Sequence, residues 1–65
     1  MKTTVTLFGL DAEAAFDGAK TFKFTTSSGD VYDQAAVTED NRLIAFDNAA
    51  CAWVQLSGDA ASEGL

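Results

Sequence analysis

The sequence predicts an α+β domain: a small antiparallel sheet of four to five strands with one short helix packed against it. Three observations carry that expectation. Polar and apolar residues alternate at period two in Thr3–Leu7 and again in Lys20–Thr26. Polar turn clusters separate the apolar runs at Ser27–Asp30 and Glu39–Asn41. Between the first two alternating runs, the segment from Asp11 to Gly18 carries helix start and stop chemistry.

Each element has its own reason. Val5 and Leu7 share one face of the first strand, with Thr4 and Thr6 on the other. Asp11 is placed to cap a helix over Ala12–Phe16, with Glu13 in its first turn and Gly18 as its stop. Two turns of helix are marginal alone, so Leu10, Ala14 or Ala15, and Phe16 are expected to pack on the sheet. Phe22 and Phe24 then point inward and Lys23 outward, and the turn Ser27-Ser28-Gly29-Asp30 returns the chain through Val31-Tyr32-Asp33. Ala35–Thr38 continues that strand past a bulge, and Glu39-Asp40-Asn41 turns into a strand over Arg42–Phe46. From Asp47 to Leu56 the pattern fits a helix or a strand. Trp53 and Val54 favour a turn at Asp47-Asn48 and a strand from about Cys51 to Leu56. Residues 1–58 thus form one domain, and 59–65 read as a flexible acidic tail.

Composition narrows the function. Four basic and ten acidic side chains give a net charge of −6 over 65 residues, with no histidine and one cysteine. This excludes histidine-based triads, structural zinc sites of the Cys/His type and disulfide scaffolds. Asp30 with Asp33, or Glu39 with Asp40 and Asn41, group oxygen ligands, but neither follows the twelve-residue calcium loop. The glycines fit no phosphate-binding fingerprint, so no metal, no cofactor and no catalytic residue is expected. Without a signal peptide or an apolar span, the expected compartment is the cytoplasm, without membrane association. Cys51, among alanines, reads as a small buried core residue, and Trp53 as core. Tyr32 is balanced between core and interface.

What remains is acidity on structured elements. Asp30, Asp33, Glu39, Asp40 and Asp47, with Tyr32, are the candidate partner-binding residues. Same-face strand residues recur about every 6.6 Å and phosphates along one DNA strand about every 3.4 Å, so carboxylates fixed on strands and turns can imitate phosphate spacing. Direct nucleic-acid binding is disfavoured by charge, and a basic protein groove is favoured.

In size, acidity, lack of proline and histidine, and absence of catalytic motifs, the chain resembles small phage-encoded inhibitors of host defence, anti-CRISPR proteins and DNA-mimicking restriction inhibitors among them. The resemblance is one of overall character rather than motif. It implies a non-enzymatic blocker in the host cytoplasm that occupies the DNA-binding groove of a nuclease or RNA-guided effector complex. The other reading is a small interaction module, an accessory subunit or antitoxin-like partner, which is a monomer or weak homodimer and binds through an aromatic patch or an open edge strand.

Overall fold

A computed structural model describes residues 2–10 and 12–65. Its accessible surface is 4040 Å² and its radius of gyration 10.7 Å. Among the described residues six strands follow in order: β1 (Lys2–Leu7), β2 (Ala12–Asp17), β3 (Phe22–Thr25), β4 (Val31–Val37), β5 (Leu43–Asp47) and β6 (Ala52–Ser57). A 3-10 turn, Ala60–Glu63, follows β6. The class is therefore a sheet-dominated α+β domain.

The strands lie in the order β2-β1-β6-β5-β4-β3. Neighbours pair antiparallel except β1 and β6, which run parallel with Leu7 opposite Trp53. That parallel pair departs from the all-antiparallel expectation. It arises because β3–β6 form an uninterrupted meander, whose last strand then runs in the direction of β1.

The helix expected over Ala12–Phe16 is instead β2, paired with β1 from Ala12 opposite Leu7 to Asp17 opposite Lys2. Its expected cap, Asp11, lies outside the described residues. The segment satisfies period two as well as a helix. Ala14 and Phe16 are buried while Glu13 is exposed. Six residues gain little as an isolated helix and gain a full ladder as a hairpin partner. Leu10, expected inward, is 46% exposed, because it stands in the β1–β2 turn rather than at a helix start. Gly9 takes φ +79° in that turn, a conformation glycine adopts without steric cost.

The bulge expected in the fourth strand is present. Phe22 faces Ala35 and Phe24 faces Tyr32, so Asp33 and Gln34 together oppose Lys23, and both are exposed. A second irregularity in the β5–β6 ladder leaves Leu56 without a partner, since Leu43 faces Ser57 and Ile44 faces Gln55. The ambiguous segment resolves as strand β6.

One face of the sheet holds the core: Leu7, Ala14, Phe16, Ala36 and Ile44, with Val5 and Trp53 packed against them. Trp53 bears on the Phe16 ring at 5.0 Å and on Phe46 edge-on at 5.8 Å. On the other face a row crosses four strands, Phe22–Ala35–Ala45–Val54, in which the two alanines are fully buried between half-buried large side chains.

The sheet coils until its β2 edge meets the β4–β5 turn. Glu39 N–H donates to the Ala15 carbonyl at 2.8 Å, and Arg42 Nη2 donates to the Glu13 carbonyl at 2.9 Å. Residues 59–64, expected as a loose tail, are tied to the body. Asp59 caps the 3-10 turn through Ala61 N–H and accepts from Asn41 Nδ2, and Ala60 is fully buried with its N–H on the Asn41 carbonyl.

Candidate partner-binding surface

The meander decides which candidate residues meet. Because β3 to β6 alternate in direction, the turns 26–30 and 48–51 share one end of the sheet and the turn 38–42 lies at the other. Asp30, Tyr32, Asp33 and Asp47 fall at the first end, and Glu39 and Asp40 at the second. The expected set is therefore split in two.

At the second end the charge is compensated. Glu39 pairs with Lys2 at 3.3 Å, both exposed, and Asp40 pairs with Arg42 Nε at 2.8 Å. The Arg42 guanidinium, and then the Thr38 hydroxyl that donates to the same carboxylate, hold the Asp40 carboxyl below the usual carboxylate range. Arg42 Nη1 also reaches Gln55 Oε1 at 3.3 Å, so this one side chain ties the β4–β5 turn to β6 and β2. Glu39 and Asp40 therefore serve the closure of the sheet.

At the first end, Asp30, Asp33 and Asp47 form no ion pair with any described residue. Two of them accept hydrogen bonds within their own turns. Asp30 accepts from Ser28 Oγ at 3.2 Å while its N–H donates to Thr26 Oγ1, and Asp47 accepts from the N–H groups of Ala49 and Ala50 at 2.9 and 3.4 Å. Asp33 stands free at the bulge. The β4–β5 register ends at Ala35 opposite Ala45, so Asp33 and Asp47 lie beyond the paired part of that ladder, toward the same end of the sheet. Tyr32, half-buried, shares its face with Phe22 and Phe24. The result is an acidic end beside a half-covered aromatic row.

Cys51 is a further correction, because it is exposed rather than buried. It takes φ +52° in the β5–β6 turn, and a turn position of that kind faces solvent. Trp53 does pack on the core, as expected. Sequence reasoning missed two features. Arg42 closes the seam, and Phe8 stands 63% exposed in the β1–β2 turn. Arg42 was visible only as one of four basic residues, two positions from Asp40.

A concavity of about 350 Å³ lies at the seam, lined by Lys2, Phe16, Asp17, Lys20, Val37, Thr38 and Glu39. Its cations and carboxylates balance, and its one hydroxyl, on Thr38, is already committed to Asp40 and to the N–H of Arg42. Among the described residues no group of three or more metal-ligating side chains occurs. No protein-family model, curated protein or solved structure matches the chain.

Proposed function

We propose that this protein is a non-enzymatic acidic inhibitor whose first end, bearing Asp30, Asp33 and Asp47, occupies a basic DNA-binding groove of a nuclease or RNA-guided effector complex. The observation that carries the reading is the asymmetry of the two ends. Glu39 and Asp40 each pair with a cation, whereas Asp30, Asp33 and Asp47 form no ion pair with any described residue, and Asp30 and Asp47 accept hydrogen bonds within their own turns. Carboxylates already hydrogen-bonded within their turns lose less freedom on meeting a row of lysines and arginines, and net charge steers such an encounter. The contact set is thus narrowed to Asp30, Asp33, Asp47 and Tyr32.

The test is displacement of fluorescently labelled duplex DNA from a panel of purified nucleases and RNA-guided effectors. Asparagine at 30 and 47 keeps the turn acceptors while removing charge, so the triple variant Asp30→Asn, Asp33→Asn, Asp47→Asn isolates electrostatics from folding. Three exposed ion pairs of about 0.5 kcal/mol each predict roughly tenfold weaker displacement by the variant, with the parent weakening as salt rises. Equal potency of parent and variant, or no displacement from any panel member at low salt, would refute the reading.

A further inference from the structure

The two edges of the sheet are finished differently. The β2 edge is closed, since the Glu13 and Ala15 carbonyls are taken by Arg42 and by the Glu39 N–H. The β3 edge has no such cover. Among the described residues, the only bonds formed by the backbone of Phe22–Thr25 are those of its ladder with β4. Thr26 N–H donates to the Asp30 carbonyl, toward β4. Strand alternation then turns the groups of Phe24 and Phe22 the same way, and those of Lys23 and Thr25 outward. Two residues therefore present free N–H and C=O groups at the period an added strand requires.

We propose that β3 accepts an extended segment of a partner protein as a seventh strand, with arginine or lysine at alternate positions. This rests on the reading above that the acidic end meets a basic partner. The alternation follows from the faces of β3. Lys23 occupies one face, so a cation beside it is repelled. The other face carries Phe22, Phe24 and Tyr32, over which a guanidinium and its apolar stem can lie, with Asp30 at the end of the strand. A second copy is the poorer occupant, because pairing β3 with itself sets Lys23 near Lys23 and brings together two bodies of −6 each.

The probe is an acetylated, amidated octapeptide alternating arginine with threonine, and a second in which glutamate replaces arginine. Binding is followed by fluorescence anisotropy and by amide hydrogen exchange at Lys23 and Thr25. The arginine peptide should bind, protect both amides, and lose at least about tenfold in affinity against Lys23→Pro while Lys23→Ala retains it, since proline removes an outward donor that the β4 ladder does not use. Methylating alternate backbone nitrogens of the peptide should abolish binding to the unaltered protein, which keeps the test valid if Lys23→Pro does not fold. Binding indifferent to proline and to methylation, but weakened in the Asp30/Asp33/Asp47 asparagine variant, would overturn strand addition and leave the acidic reading standing. Equal binding of the glutamate peptide would overturn the basic occupant. Concentration-dependent dimerisation abolished by Lys23→Pro would replace it with a second copy.

Discussion

Substituting Arg42 by alanine removes at once the donors to Gln55 Oε1 and to the Glu13 carbonyl, and the cation beside Asp40. Loss of these bonds should lower the unfolding free energy by about 1–3 kcal/mol, read from urea midpoints. A lysine at this position should not rescue, since one ammonium cannot span three partners. Asp40 supplies a pH prediction. Its carboxyl is held low by Arg42 first and Thr38 second, so its contribution is present above its unfolded value and is lost as pH falls through the folded one. Asp40→Asn should therefore flatten the loss of stability below the ordinary carboxylate range, and an unchanged acid slope would remove Asp40 from that linkage. None of this was legible in the residues Asp40 and Arg42 alone. Their proximity in sequence suggests a local pair, but the reach of Arg42 to β2 and β6 exists only once the sheet has coiled.

At the scale of elements, β2 shows how a local signal is overruled. Ala12–Phe16 has good helix formers, but its alternation of Ala14 and Phe16 against Glu13 was in the sequence as well, and β1 lay one turn away to pair with it. Phe16→Ala should cost about 3–5 kcal/mol by opening the core against Trp53, enough to unfold much of so small a domain in a thermal melt. The C-terminal turn is a second case. Small polar residues there look like a tail, yet Asp59 both caps the turn and accepts from Asn41. Asp59→Ala should cost about 1 kcal/mol and raise amide exchange at Ala60, whose N–H is held by the Asn41 carbonyl. By contrast, the β3–β4 hairpin and its bulge were readable, because turn residues and alternation specify them without help from distant strands.

For the whole molecule, salt should act with opposite signs on two properties. A net charge of −6 on 4040 Å² of surface repels itself, so screening should raise the melting temperature of the free protein. The same screening should weaken attachment to a basic groove. Calorimetry of the free protein and anisotropy with the arginine peptide, both across a salt series, test the pair of effects. A melting temperature that fell with salt would show that the Lys2–Glu39 and Arg42–Asp40 attractions outweigh the net repulsion.

The sequence by itself determined the sheet-dominated class, the placement of five of the six strands, the β4 bulge and the net charge, because these depend on alternation, turn chemistry and composition within a few residues of each other. Only the tertiary structure decided that β2 is a strand, that β1 lies parallel to β6, that one sheet edge is closed and the other open, and that five candidate acids divide into a neutralised pair and an uncompensated trio. Those outcomes depend on which distant segments share an edge or an end of the sheet. That is set by the coiling of the whole chain around Phe16, Ile44 and Trp53, and no local period encodes it.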